Sequence, residues 1–117
     1  MPLDKKLPAG RFTLADAADG KVAITGATAS DVSAGMGHYL MEYCNLTFGW
    51  PRGGGQNVFA PSPWPTVGEK VTKTRSAPWC YIMNVCTHSY SLVWYSWAEW
   101  EAFIGDQSER RSFLAEN

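Results

Sequence analysis

The sequence predicts an α+β fold: a small hairpin-helix-strand domain followed by the first βα unit of a larger architecture. Three observations predict it. An alternating apolar pattern doubles back on itself near the start, an apolar face at helical spacing follows, and an almost unbroken apolar run leads into a second helix start. At 117 residues, 45% hydrophobic and 18% charged, the chain is long enough to bury one ordinary core.

Phe12 and Leu14, then Val22 and Ile24, alternate with polar or small residues. Between them, Asp16-Ala17-Ala18-Asp19-Gly20 ends in Asp-Gly, a pair that favours a tight reversal, so this stretch reads as a β-hairpin. From Ser30 the period changes. Val32, Met36, Tyr39, Leu40 and Tyr43 recur at spacings of three and four, which predicts an amphipathic helix over about residues 30–43. Gly35 and Gly37 inside it cost about 1 kcal/mol each relative to Ala, a cost consistent with close approach of the helix to a sheet. Leu46, Phe48 and Trp50 predict a third short strand, ended by Pro51 and Gly53-Gly54-Gly55. The five prolines between residues 51 and 78 then predict an extended connector.

Several function classes are disfavoured by composition. Ten Lys and Arg against eleven Asp and Glu leave a net charge of −1 with no basic block, so no nucleic-acid partner is expected. The charged opening Met1-Pro2-Leu3-Asp4-Lys5-Lys6 precedes no long apolar run, so neither a signal peptide nor a membrane span is expected. No GxGxxG or GxxxxGK occurs. Cys44, Cys80 and Cys86 are an odd set without CxxC spacing and read as buried free thiols, and no metal site or cofactor is expected. Asn45-Leu46-Thr47 is an N-glycosylation sequon, meaningful only on a secretory route.

Residues 79–103 carry half of the aromatic side chains in about a fifth of the chain. Cys80 to Val85 lacks alternation, the pattern of a strand buried on both faces in a parallel sheet. Ser96 with Glu99 forms a capping box, and Trp97, Trp100 and Phe103 or Ile104 follow at helical spacing. In a βα barrel, this strand places Cys80, Ile82, Asn84 and Cys86 on one face, with Cys86 at the carboxyl end where catalytic sites form. Asn84 then needs polar partners, from neighbouring backbone or from a ligand hydroxyl. Tyr90, Trp94 and Trp97 are either core residues or stacking surfaces for a sugar.

The run Tyr81-Ile82-Met83-Asn84-Val85-Cys86-Thr87-His88-Ser89-Tyr90-Ser91, with Val93-Trp94-Tyr95-Ser96-Trp97 and Trp100-Glu101, closely resembles the start of the catalytic barrel in the α-N-acetylglucosaminidase family of lysosomal and bacterial glycoside hydrolases. Upstream, Phe12-Thr13-Leu14, Gly20 to Gly26, Ala34 to Leu40 and Phe48-Gly49-Trp50 resemble the N-terminal domain of that family. The resemblance covers about residues 11–104. It implies a domain over 11–75 and the first strand and helix start of a (β/α)8-type barrel over 76–104; outside it, residues 1–10 are expected to be disordered and 105–117 form a divergent tail. The implied activity is retaining, exo-acting release of terminal α-linked N-acetylglucosamine, from heparan sulfate in lysosomal members, without a cofactor. The resemblance also implies that Asn84 and Cys86 line the sugar pocket, with Thr87, Tyr90 and Trp94 as neighbours. Lysosomal or secreted locations are those of the family. Ser96 stands where the family usually has Asp, and after Ile104 the charged run Gly105 to Ser112 departs from its apolar helix.

Retaining hydrolysis requires two carboxyl groups about 5 Å apart. The family's catalytic glutamates fall downstream of the matching stretch, while Glu99 and Glu101 belong to the helix start. No catalytic residue is therefore expected in this chain. The two readings are an N-terminal fragment inactive by itself and a free-standing module that binds a glycan or a protein; neither sets an oligomeric state.

Overall fold

Arg11–Asp16 forms β1, the middle strand of a three-stranded antiparallel sheet. The computed structural model describes residues 3–46, 59–77 and 92–110, the last six of these by backbone alone. Strand β2, Val22–Gly26, pairs with β1 so that Leu14 lies opposite Ile24 and Phe12 opposite Gly26, completing the expected hairpin. The reversal is a five-residue loop containing one 3₁₀ turn, Ala18–Gly20, closed by the Ala17 N–H donating to the Lys21 carbonyl at 2.7 Å. Asp19 and Gly20 both have positive φ, at 66° and 69°, the backbone that makes Asp-Gly a favoured hairpin pair.

Helix α1, Ala29–Glu42, lies against β1 and β2 and begins at Thr28. The Thr28 hydroxyl accepts from the Asp31 N–H at 3.2 Å, and the Asp31 carboxylate accepts from the Thr28 N–H at 3.0 Å. This reciprocal cap satisfies donors that the first helical turn leaves open. A Cβ on Gly35 would stand 2.8 Å from Ile24 Cγ2 and 3.1 Å from Phe12 Cδ2, so α1 approaches the sheet as closely as the sequence suggested. Phe12, Leu14, Ala34, Tyr39, Leu40, Cys44 and Leu46 make the core, with Ile24, Met36 and Val71 packed at its border. Full burial of each large apolar side chain contributes about 1.5–3 kcal/mol.

Three expectations are corrected. Leu46 was to open a strand, but it is buried in the turn after α1, its N–H donating to the Leu40 carbonyl at 2.9 Å. The rest of that expected strand lies outside the described residues. The third strand, β3, Val71–Thr74, arises instead within the expected connector and pairs with β1, Leu14 opposite Val71. Residues 59–70 lead into it across α1, held where the Tyr39 hydroxyl donates to the Pro65 carbonyl at 2.6 Å. The Asp16 carboxylate accepts from the Val67 and Gly68 N–H groups at 2.7 and 2.9 Å. Secondly, residues 3–10 are not loose: Leu3 bridges Gly26, and the Asp4 N–H donates to the Gly26 carbonyl at 2.9 Å. They use the free edge of β2, which leaves backbone groups open to pairing.

The third correction concerns the residues after Ile104, where the charged run with its Gly cannot continue a core-facing stripe and was expected to stay mobile. Helix α2, Trp97–Arg110, continues through Gly105 and the charged residues after it. Gln107, Glu109 and Arg110 are good helix formers, and a helix already begun needs no apolar stripe to extend. Its start follows the expected cap. Glu99 accepts from the Ser96 N–H and hydroxyl, both at 2.8 Å, and its own N–H donates to the Ser96 hydroxyl at 3.4 Å. Helix α2 packs on α1, with Phe103 buried and Trp100 set edge-on to both Tyr95 and Phe103. No helix among the described residues is long and apolar enough to cross a membrane.

Candidate functional site

Of the five residues assigned to a sugar pocket, Trp94 is the one whose placement is described; Asn84, Cys86, Thr87 and Tyr90 lie outside the described residues. Trp94 sits in the turn that precedes α2. Leu92 takes φ 73° and is buried, and the Tyr95 N–H donates to the Leu92 carbonyl at 3.2 Å, closing that turn. The indole of Trp94 is thereby turned outward, 83% exposed, and Trp97 is 71% exposed. An exposed indole presents an apolar face of the kind on which a pyranose ring stacks. The alternative that both are core residues is therefore set aside for this chain: Phe103 is the α2 aromatic that is buried.

Four carboxylates have described structural work. Asp4 accepts from the Lys6 N–H at 2.9 Å. Asp16 holds the approach to β3, Asp31 caps α1, and Glu99 caps α2. A catalytic carboxyl must be free to meet a substrate oxygen or anomeric carbon. Each of these four instead accepts from at least one backbone N–H. Among the described residues no group of three His, Cys, Asp or Glu side chains stands ready for a metal ion.

Buried polar chemistry gathers at the far end of α1. The Tyr39 ring stacks on Tyr43 at 5.7 Å and meets Trp64 at 6.4 Å. Burial, then the hydrogen bond with Cys44 and the nearby Cys44 and Asp16 charges, pushes the Tyr39 hydroxyl up to about 12. Cys44 is a buried free thiol, as expected of it. His38 is buried with its ring 5.7 Å from Phe12 and 6.3 Å from Tyr43. The pairing of Asp31 with Arg75, 3.3 Å apart, was missed in the sequence. The Thr28-x-x-Asp31 spacing was a visible signal for the cap; nothing local marks Arg75 as its partner.

Solved structures share this arrangement. CpGH89 from Clostridium perfringens, in complex with its substrate GlcNAc-alpha-1,4-galactose, matches at a TM-score of 0.78 and 32% identity over 86% of this chain and 11% of that one. A Family 89 glycoside hydrolase from the same organism, in complex with PUGNAc, matches at 0.77 with the same identity and coverage. The fold is thus that of a glycoside hydrolase's N-terminal region. Residues 3–66 match the domain described as the alpha-N-acetylglucosaminidase (NAGLU) N-terminal domain. Human alpha-N-acetylglucosaminidase is 33% identical over 93 residues, covering 80% of this chain and 12% of the human protein. The chain belongs to the alpha-N-acetylglucosaminidase family, and it spans about an eighth of the length of that human relative.

Proposed function

We propose that this chain supplies the N-terminal domain and the opening βα unit of a retaining, exo-acting α-N-acetylglucosaminidase. The domain occupies residues 11–75, and residues 76–104 begin the catalytic barrel. Asn84 and Cys86 line the pocket for the terminal sugar, with Thr87, Tyr90 and Trp94 beside it. The substrate is a glycan ending in α-linked N-acetylglucosamine, heparan sulfate in lysosomal relatives. The observation that carries this reading is the match of most of the chain to a small part of an enzyme solved with GlcNAc-alpha-1,4-galactose. A supporting one is the Ser96–Glu99 cap, which starts α2 at a serine eleven residues after the apolar run Cys80–Val85 ends in the sequence.

The chain by itself does not hydrolyse the glycan, because the acid and the nucleophile are supplied by later parts of such an enzyme. Incubation with an aryl α-N-acetylglucosaminide tests this. No release above the blank is expected, and turnover that survives repurification and a Glu99→Gln, Glu101→Gln double change contradicts it.

The outward-facing Trp94 and Trp97 favour one second reading, a module that binds a glycan without cleaving it. Titration with GlcNAc-alpha-1,4-galactose, followed by tryptophan fluorescence, separates the two. Half a sugar pocket gives no saturation in the millimolar range, whereas a binding module saturates and loses its signal on Trp94→Ala.

A further inference from the structure

Asp31 is 1% exposed and Arg75 17%, and their side chains meet at the point where the chain leaves β3. The two carboxylate oxygens divide their work. Oδ2 accepts from the Gly10 N–H at 3.3 Å, the Thr28 N–H at 3.0 Å and the Thr28 hydroxyl at 2.8 Å. Oδ1 faces Arg75 Nη2 at 3.3 Å. Arg75 is held a second way, its N–H donating to the Gly10 carbonyl at 2.8 Å. Gly10 takes φ 85°, and a Cβ there would stand 3.2 Å from Arg75 Nε, so the arginine side chain lies over the one residue type that leaves it room.

One buried carboxylate therefore joins three segments remote in sequence: the entry to β1, the first turn of α1, and the exit from β3. Capping α1 needs Oδ2 alone. The second oxygen and its charge, buried at a cost that only a partner offsets, are explained by the arginine. We propose that Asp31 is a positioning residue: with Arg75 and Gly10 it fixes where the polypeptide leaves the small domain toward segment 78–91, the stretch that carries Asn84, Cys86, Thr87 and Tyr90.

The division between the two oxygens supplies the test, made on the whole chain and independent of any enzymatic activity. In Asp31→Asn the amide oxygen retains the three donors on the Oδ2 side, and the amide nitrogen turns toward the guanidinium, donor against donor. The cap survives and Arg75 is released. In the unaltered protein Arg75 Nε is buried without a hydrogen-bond partner among the described residues while Nη2 faces Asp31, so burial of the guanidinium is expected to keep its Nε–H resonance observable at neutral pH. Asp31→Asn is expected to abolish that resonance and to speed exchange of the Arg75 backbone N–H by about ten-fold or more, while amides of α1 and β2 change by less than about three-fold. Arg75→Gln, which leaves the cap untouched, is read by the backbone N–H of residue 75 alone, whose exchange should speed to the same extent, and it keeps the test open if the first variant folds poorly. Combining the two changes should add nothing to either one. An unchanged Arg75 resonance, an equal loss of protection throughout α1 and β2, or additive effects in the double variant would each overturn the proposal and leave Asp31 as a helix cap only.

Discussion

Tyr39 shows how a single side chain ties the proline-rich segment to the core. Its hydroxyl donates to the Pro65 carbonyl while its ring stacks on Tyr43. The folded chain holds the Tyr39 proton more tightly than the unfolded chain does, about 12 against the ordinary 10.0. The resulting stability is complete below pH 10, declines as pH rises from 10 to about 12, and is gone above that range. Tyr39→Phe should remove this part of the alkaline slope in urea titrations and cost about 1 kcal/mol at neutral pH through the lost hydrogen bond. Gly35 offers a contest between local and tertiary effects. Alanine there gains about 1 kcal/mol of helix propensity but forces a methyl against Ile24 and Phe12, so Gly35→Ala should destabilise by about 1–2 kcal/mol net in denaturant unfolding. The close approach at Gly35 was legible because a glycine inside an apolar helical face calls for a reason. The Tyr39–Pro65 contact was not, since residues 26 apart carry no shared local pattern.

At the scale of elements, both helices start on reciprocal caps, and both caps are local. Thr28→Ala should therefore cost about 1 kcal/mol, read as an unfolding midpoint lowered at constant m-value. Phe103→Ala tests a different link, the packing of α2 on α1. Its loss should speed amide exchange in α2 by about ten-fold or more while the β1–β2 hairpin keeps its protection, because Phe103 is the buried aromatic of α2. The hairpin, α1 and the α2 start were legible because period and turn chemistry are written within a dozen residues. Strand β3 was hidden for the opposite reason: Val71-Thr72-Lys73-Thr74 is too short to show a period, and its pairing with β1 and the Asp16 hydrogen bonds to Val67 and Gly68 join residues remote in sequence. The extension of α2 past Ile104 was hidden because a charged run was read for its lack of a core face and not for its helix propensity.

The described residues form a small α+β domain with a capped helix laid on it, and Trp94, Trp97 and Ile104 remain outside its core. Of the candidate site, Asn84, Cys86, Thr87 and Tyr90 lie outside the described residues, and the exposure of Trp94 goes with the Leu92 turn, which no local pattern announced. The proposed function requires that this chain stand in for the N-terminal part of its family's enzymes and bring its proposed share of the sugar pocket with it. The direct measurement is made on a hybrid in which this chain replaces the stretch it matches in the Clostridium perfringens relative, assayed on GlcNAc-alpha-1,4-galactose. The hybrid is expected to release N-acetylglucosamine, and Asn84→Ala within it to lower kcat/KM by about ten-fold or more. A hybrid that unfolds at the relative's own midpoint yet turns over no substrate, or whose turnover is indifferent to Asn84, would contradict the claim.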